Sequence, residues 1–314
     1  MIRLPQKVSI LLLGSLFFSL GVISQAKEEE AAIKLYQRGM KLTADGDLDA
    51  ALDRFNTIAT RYRRSETCAQ ALWEIYRIKE HQSESQGAFE ALNRLATEQP
   101  GHFEKAHAAQ FRLVQRLLGT TSSTKRTLDT ERAPEKTSPD IIIAMLKAVI
   151  QNGPTSEVGI QAQYLMGVAL ERADKKQEAI ATHEDFAENN PKHELADDAS
   201  YQVAYIRYKD WRAMRGDSPH QREAAALSLT WFITRYPESE KAAQARSCLR
   251  EVKNAEQREM ITLARYYESR GNTKAAATYY QQLGLQFPEL LSQTNELQEK
   301  IRDAMIRHNG ESNR

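Results

Sequence analysis

Glycine and proline, the two residues that most often break helices, are scarce in this sequence. The 314 residues include only 14 glycines and 9 prolines, whereas hydrophobic residues make up 41%. The frequent residue types are alanine, glutamate, glutamine, arginine and leucine, all of which favour helices. The composition therefore predicts an all-α fold.

An excess of either charge is also missing. The chain has 43 basic and 42 acidic residues, a formal net charge of +1. Removing Arg3 and Lys7 with the N-terminal segment discussed below leaves 41 basic against 42 acidic residues, a net charge of −1. Since no basic surplus remains to neutralise a phosphate backbone, we predict that nucleic acid is not a partner.

Motifs for catalysis and metal binding are absent from the sequence. The seven histidines are scattered, and no H-E-x-x-H, C-x-x-C, G-x-S-x-G, P-loop or dinucleotide motif occurs. His183 falls at an aromatic core position of a helix and is interpreted as a packed side chain rather than a metal ligand. We therefore predict that the protein is not an enzyme, with no catalytic, cofactor-binding or metal-binding residues.

The N-terminus has the three parts of an export signal. Residues 1–7 carry two basic side chains, residues 8–23 form an apolar run, and residues 24–26 read Ser-Gln-Ala, a small-x-small cleavage site. The alternative is an uncleaved membrane anchor, but the run is shorter than the ~20 apolar residues that span a bilayer and is interrupted by Gly and Ser. We predict a signal peptide over residues 1–26, and hence a periplasmic location. Within the periplasm, the protein could lie at the surface of the outer membrane.

The two cysteines, Cys68 and Cys248, both lie far from the expected cleavage site. A bacterial lipoprotein carries its lipid on a cysteine at that point, so we expect no lipid anchor of this kind and membrane association only through partners. The two thiols fall in different repeats, and repeats of this kind touch mainly their neighbours. Two buried, unpaired thiols are therefore expected.

One pattern of apolar and small residues recurs along the chain with the spacing of a helical hairpin. Its clearest copies are Met260, Leu263, Ala264, Tyr267, Ala276, Tyr280 and Pro288; Met166, Gly167, Leu170, Ala179, His183 and Pro191; and Leu35, Gly39, Leu42, Ala51 and Phe55. They follow the tetratricopeptide (TPR) pattern of about 34 residues, W-x2-L-G-x2-Y on one helix and A-x3-F…P on the next.

A single helix pair of this type cannot bury its own apolar face, so pairs stack and share a core. The small residues let the two axes of a pair come close, as for Gly39 with Ala51 or Gly167 with Ala179. We predict a right-handed, TPR-like α-solenoid of about six helical hairpins with a C-terminal capping helix. A solenoid of this kind usually holds other proteins.

The predicted mature chain, residues 27–314, divides into four parts. These are N-terminal repeats over 29–118, a polar insertion over 119–138, C-terminal repeats over 139–288 and a capping helix over 289–308. Asp140 is the expected N-cap of the helix that follows the insertion. Residues 239–270 contain no helix breaker, so they form one long helix or two joined by a kink. The capping helix could instead bind a partner.

A row of aromatic residues indicates a candidate protein-binding surface. Tyr36, Trp73 and Tyr164 each follow the first core position of a repeat, and Arg77 lies one turn beyond Trp73. If the first helix of each pair lines a groove, these side chains suit an extended, partly apolar peptide. The alternative is that the tyrosines pack against the next repeat.

The C-terminal repeats resemble one particular family. The residues that carry the resemblance are Arg235-Tyr236-Pro237-Glu238-Ser239, Ala242, Ala245-Arg246, Leu249-Arg250-Glu251-Val252, Leu263-Ala264-Arg265-Tyr266-Tyr267, Arg270-Gly271, Ala275-Ala276 and Tyr279-Tyr280. Over about the last third of the chain this run is similar to the BamD-like family of outer-membrane protein assembly factors.

The resemblance implies a periplasmic scaffold for the insertion of β-barrel proteins into the outer membrane. Its N-terminal repeats would hold client proteins or peptides, and its C-terminal repeats would dock a barrel-forming partner. The resemblance places this second site near Arg246, Arg250, Arg265, Tyr266 and Tyr267. The alternatives are a general periplasmic TPR adaptor for cell-envelope or peptidoglycan complexes and an enzyme with a substrate-recruiting arm, for which the repeats leave no room.

Overall fold

The computed structural model of the protein describes residues 6–119, 137–214, 218–292 and 299–303, with side chains for residues 25–290 and 299–303 of these ranges. Most of the predicted insertion (120–136), and residues 293–298 and 304–308 of the predicted capping helix, lie outside them. So do residues 1–5 of the predicted signal peptide. Within the described ranges, no helix combines the length and apolar character needed to cross a membrane.

Helices account for all the regular structure in the described ranges, which confirms the predicted all-α fold. They are α1 (Gln6–Ala44), α2 (Leu48–Arg61), α3 (Glu66–His81), α4 (Ser85–Glu98), α5 (Phe103–Leu117), α6 (Pro139–Asn152), α7 (Glu157–Arg172), α8 (Lys176–Asn189), α9 (Ala196–Ala213), α10 (Pro219–Arg235), α11 (Ala242–Ser269) and α12 (Thr273–Gln286). Short 3₁₀ helices cover Pro100–His102 and Pro288–Ser292, and residues 299–303 are helical.

The helices pack in successive pairs within each of two compact units. In the N-terminal unit (Met1–Thr182), α1 pairs with α2, α3 with α4, and α6 packs more closely on α7 than on α5. In the C-terminal unit (His183–Arg314), α9 pairs with α10 and α11 with α12. A second helix also packs on the first helix of the next pair, as α2 does on α3 and α10 on α11. For α1 with α2, α3 with α4, α9 with α10 and α11 with α12, this is the pairing that the repeats predict, whereas the preference of α6 for α7 over α5 is not.

The turn between α1 and α2 and the turn between α11 and α12 have the same two features, a glycine with positive φ and an N-capping residue after it. Gly46 between α1 and α2 has φ +83°, and Gly271 between α11 and α12 has φ +73°. The next residue caps the second helix: the Asp47 carboxylate accepts from the Ala50 N–H at 3.2 Å, and the Asn272 side chain accepts from the Ala275 N–H at 3.1 Å. A positive φ costs glycine little, so both turns are tight and end the first helix sharply.

The close approach of α1 and α2 is set by an aromatic ring. A Cβ on Gly39 would lie 2.7 Å from Cε1 of Phe55, whose side chain is fully buried. Ala51, the small residue expected opposite Gly39, lies one turn away on α2 and is also fully buried. The pattern therefore identifies the two helix faces correctly, but the glycine makes room for a ring as well as for a small side chain.

Helix α11 is a single unbroken helix of 28 residues, about 42 Å long at 1.5 Å per residue. This settles the alternative left open for residues 239–270. Its first half contributes Ala245, Cys248 and Val252 to a core shared with α9 and α10. Its second half contributes Met260 and Ala264 to a core shared with α12, Leu290 and Ile301. One helix thus belongs to two cores.

The predicted N-cap of α6 is wrong by two residues. Ser138 occupies the N-cap position and Pro139 is the first helical residue, so Asp140 lies inside the first turn. Proline suits that first position because its fixed φ is already helical and its missing N–H would have no partner there. The Asp140 carboxylate instead accepts a hydrogen bond from Lys175 Nζ at 2.8 Å.

Burial shifts the pKa values of both cysteines and of His183. Cys68 and Cys248 are free, buried thiols, and burial raises the pKa of each. His183 is fully buried, and burial lowers its pKa to about 4. An imidazole with this pKa is neutral at physiological pH, as expected for a packed core side chain.

A carboxylate from α1 caps the start of α3. Glu29 accepts hydrogen bonds from the backbone N–H groups of Glu66 at 2.8 Å and Thr67 at 3.2 Å, and from Thr67 Oγ1 at 2.5 Å. Ser65 accepts from the Cys68 N–H at the same helix end. Burial alone would raise the pKa of Glu29, but these hydrogen bonds outweigh it and lower the pKa below 4.5. The negative charge also suits the positive end of the helix dipole.

We expect Glu29→Gln to lower the free energy of unfolding of the N-terminal unit by about 1 kcal/mol at neutral pH. Because the folded-state pKa of Glu29 is lowered, its contribution is present above pH 4.5 and is lost as the pH falls through that pKa. Urea unfolding at several pH values measures the effect, with the exposed neighbour Glu28→Gln as the control. Equal stability of the two variants at pH 7 would contradict the capping role.

Candidate protein-binding surfaces

Tyr36 and Arg77, two of the residues predicted to bind protein, are brought together through Glu74. Arg77 Nη1 donates to Glu74 Oε1 at 2.9 Å, and the Glu74 residue is 8% exposed. Burial, followed by the charge of Glu74, raises the pKa of the half-buried Tyr36. The guanidinium of Arg77 remains exposed. The carboxylate on α3 therefore holds a tyrosine from α1 and an arginine from its own helix on one surface.

Trp73 lies on α3, as Arg77 does, and a lysine from α5 lies above its indole ring. Lys105 Nζ lies 4.8 Å from the ring centroid, a cation–π distance, and the indole Nε1 is 3.4 Å from His102 Nδ1. Tyr76 meets the indole edge to face, with ring centroids 5.9 Å apart. We call the residues Tyr36, Trp73, Glu74, Arg77 and Lys105 the Trp73 surface. Its two exposed cations beside an aromatic ring suit a peptide carboxylate or carbonyl next to an apolar side chain.

Tyr164 does not join this surface among the contacts that the structure describes. It is half-buried on α7, which packs against α5 and α6. The predicted row of aromatic residues is therefore assembled over α1 and α3, while its third member lies on a more distant repeat.

The five C-terminal candidates fall into two groups on α11. Arg246 and Arg250 are exposed on the first half of the helix, and Arg246 Nη2 lies 3.4 Å from the Pro237 carbonyl oxygen. Arg265, Tyr266 and Tyr267 lie near its C-terminal end. The 15 residues from Arg250 to Arg265 separate the two groups by about 22 Å along the axis. A partner that contacts both groups must span this distance, which takes about seven residues of fully extended chain.

The second group belongs to a cluster of aromatic rings, which we call the tyrosine cluster (Tyr266, Tyr267, Arg270 and Tyr279). Tyr267 stacks on Tyr279 with centroids 5.6 Å apart and planes 10° apart, and meets Tyr266 edge to face at 5.4 Å. Arg270 Cζ lies 5.6 Å from the Tyr266 ring centroid. Tyr266 is 51% exposed. An exposed ring with a guanidinium over it, held by a stacked pair, is typical of a protein-binding anchor.

The C-terminal unit also has a surface groove of about 910 Å³ that the sequence interpretation did not include. One wall is the end of α8, the floor is α9 and the other wall is α10; we call it the α8–α10 groove. It is lined by Glu184, Ala187, Glu188, Pro191, Ser200, Val203, Arg207, Leu227, Ser228, Thr230, Trp231, Arg235 and Tyr236. Leu227 and Trp231 are 64% and 55% exposed.

The sequence contains a signal for this groove. Helix α10 buries Ala225, Leu229 and Phe232 in the core, which accounts for its apolar periodicity. Leu227 and Trp231 are spaced four residues apart and belong to the opposite face. A helix with apolar residues on two faces has more apolar surface than one core can bury.

A bridge of polar side chains joins the three helices around the groove. Arg207 on the floor donates to Ser228 Oγ on one wall at 2.6 Å and to Glu184 Oε1 on the other at 2.9 Å. Trp231 packs edge to face on Tyr236 at 6.2 Å. The two hydrogen bonds of Arg207 thus connect both walls to the floor. Among the described side chains, no group of His, Cys, Asp or Glu is arranged to hold a metal ion.

Comparison with known families identifies the C-terminal part of the chain. The family described as "YfiO: Outer membrane lipoprotein" matches residues 140–308, which is 169 of the 314 residues. This confirms the BamD-like resemblance and extends it from the last third of the chain back to α6. No curated protein matches the chain.

Two solved structures share its helical character at low similarity. A crystal structure of PilW, a widely conserved type IV pilus biogenesis factor, is 14% identical, covers 86% of this chain and 98% of its own, and has a TM-score of 0.31. A tetratricopeptide repeat protein from Parabacteroides merdae is 12% identical, covers 88% of this chain and 99% of its own, and has a TM-score of 0.34. These TM-scores are too low for either likeness to bear on function.

Proposed function

The chain belongs to the YfiO family of outer membrane lipoproteins, and we propose that it is a periplasmic scaffold that binds partner proteins while β-barrel proteins are assembled into the outer membrane. The family match over residues 140–308 is the observation that supports this role. That stretch includes the α8–α10 groove and the tyrosine cluster. In this proposal a cleaved signal peptide exports the chain, and its partners hold it at the membrane.

The C-terminal unit is proposed to dock the barrel-forming partner. Arg246 and Arg250 present two exposed cations, and the tyrosine cluster presents an exposed ring beside Arg265. Because the two groups are about 22 Å apart along α11, a partner that contacts both must span at least that distance, as the face of a folded domain does. Aromatic and arginine side chains are the usual anchors of such interfaces.

The N-terminal unit is proposed to hold client proteins or peptides at the Trp73 surface. Arg77 and Lys105 are positioned to bind a carboxylate or backbone carbonyls, while the indole ring packs against an apolar side chain. Tyr164 would extend such a site only for a longer client.

A general periplasmic adaptor for cell-envelope or peptidoglycan complexes is the second candidate. The observation that favours it is that the Trp73 surface lies outside the matched residues 140–308. A client site of this kind could therefore serve a different assembly.

Crosslinking in living cells, followed by mass spectrometry, tests the two candidates. Barrel assembly requires crosslinks from the tyrosine cluster to the periplasmic domains of a barrel protein. If the tyrosine cluster crosslinks only to cell-wall enzymes, the barrel-assembly role is wrong and the adaptor role is supported.

We expect Trp73→Ala and Arg77→Ala each to weaken client binding by about tenfold or more, since each removes an anchor side chain. Arg61→Ala, an exposed residue of α2, is the matched control and should bind as the wild type does. Circular dichroism checks that the variants remain folded. Unchanged client capture by both folded variants would rule out the Trp73 surface.

A further inference from the structure

We propose that the α8–α10 groove binds an amphipathic helix of a partner protein, with a basic residue of that helix facing Glu188 and an acidic residue facing Arg235. This inference goes beyond the proposed function, because it does not depend on which envelope complex the protein serves. It concerns a surface distinct from the Trp73 surface and the tyrosine cluster.

The groove contains two large apolar side chains that are mostly exposed and lie next to each other. Leu227 and Trp231 are 64% and 55% exposed and lie four residues apart on α10, so both project into the same space. Ala187 on the opposite wall and Val203 on the floor complete an apolar lining. Tryptophan is one of the residues that are most enriched among the hot spots of protein interfaces.

The shape of the groove favours a helix over an extended segment. Its walls and floor are the helices α8, α9 and α10, whose backbone N–H and C=O groups are already paired within each helix. A peptide that binds by adding a strand to a sheet needs open backbone groups at a sheet edge, and these walls offer none. A helix supplies its own backbone hydrogen bonds and needs only side-chain contacts, which can interdigitate with Leu227 and Trp231 in the way that packed helices do.

The charges of the groove give the partner a preferred orientation. Glu184 is paired with Arg207, which also holds Ser228, so this end of the groove is neutral. Glu188 is exposed on the α8 wall, and Arg235 is exposed on the α10 wall with its guanidinium 5.6 Å from the Tyr236 ring centroid. The two walls therefore carry opposite charges, and a helix with a basic edge and an acidic edge matches them in one direction only.

Binding of three labelled peptides to the full-length protein tests the proposal by fluorescence anisotropy. The first is a stapled helix of about four turns, with leucines at i, i+4 and i+7, a lysine along one edge and a glutamate along the other. The second exchanges the lysine and the glutamate. The third replaces a central residue by proline and is not stapled, so it stays extended. The first peptide should bind at least about tenfold more tightly than the other two.

Protein variants then assign the binding to this groove. Trp231→Ala should lower the affinity for the first peptide at least about tenfold, whereas Leu285→Ala, which removes a leucine on α12 that is 64% exposed, should leave it unchanged. The double variant Glu188→Lys, Arg235→Glu should prefer the second peptide. Unchanged melting curves for these variants show that the fold is retained.

Three results would overturn the proposal. One is equal binding of the extended and helical peptides, which would make the groove a site for unfolded segments. Another is self-association of the protein that Trp231→Ala abolishes, because the occupant would then be a second copy of the chain. The last is an affinity of the helical peptide that Trp231→Ala leaves unchanged, or no binding at about 1 mM.

Discussion

Replacing Gly159 by alanine will destabilise the N-terminal unit by about 3 kcal/mol or more. Gly159 lies in the first turn of α7, where a Cβ would be 1.9 Å from the carbonyl oxygen of Gly153. That oxygen cannot move away easily, because it accepts hydrogen bonds from both the N–H and the hydroxyl of Ser156. The same hydroxyl oxygen accepts from the Gly159 N–H at 3.0 Å and so caps α7. Relieving the overlap requires the turn between α6 and α7 to open.

The matched control is Gly101→Ala, since no atom lies within 4 Å of the Cβ position at Gly101. This variant should stay within about 0.5 kcal/mol of the wild type. Urea unfolding gives the two free energies, and hydrogen exchange should show loss of protection in α6 and α7 only for Gly159→Ala. Similar stability of the two variants would mean that the turn relaxes far more easily than its hydrogen bonds indicate.

Phe232→Ala will cost the C-terminal unit about 3–5 kcal/mol, whereas its neighbour Trp231→Ala will cost less than about 1 kcal/mol. The Phe232 side chain is fully buried and contacts Tyr201 and Tyr236, with ring centroids 5.4 and 5.8 Å away. Removing the ring leaves a cavity in a core that cannot collapse around it without moving two other rings. Trp231, in contrast, is 55% exposed and supports little of the fold.

Thermal unfolding followed by circular dichroism and hydrogen exchange of α9 to α11 measures this contrast. The two variants also separate stability from binding, since Trp231→Ala should lose the helical peptide while the fold persists. Comparable destabilisation by both substitutions would show that the tryptophan is part of the core and not part of a binding surface.

The repeat pattern predicts the paired helices because small residues and turn glycines act locally. Gly46 and Gly271 each end a helix by adopting a positive φ, and that requirement is visible in the sequence itself. The continuity of α11 is not visible in the same way, since absence of a breaker fits both a straight helix and a kinked one. The N-cap at Asp140 was wrong because a proline before it can serve as the first helical residue.

The binding surfaces were less predictable because they join residues that are far apart in the chain. Helical spacing places Trp73 and Arg77 on one face of α3, but it does not show that Lys105 from α5 lies over the indole. Which residues meet across neighbouring helices depends on the lateral spacing and rotation of each pair, and the sequence repeat does not record these. The repeat pattern does not predict the α8–α10 groove, because it accounts only for the core positions of α10 and assigns no role to Leu227 and Trp231.

The continuity of α11 has a mechanical consequence. The helix is clamped by one core through Ala245, Cys248 and Val252 and by another through Met260 and Ala264, with no hinge between them. A partner that binds the tyrosine cluster and moves the hairpin of α11 and α12 must therefore also move the side chains that pack around Cys248. Because the two cores share one continuous helix, we expect a displacement of the last hairpin to alter the packing around Phe232 as well.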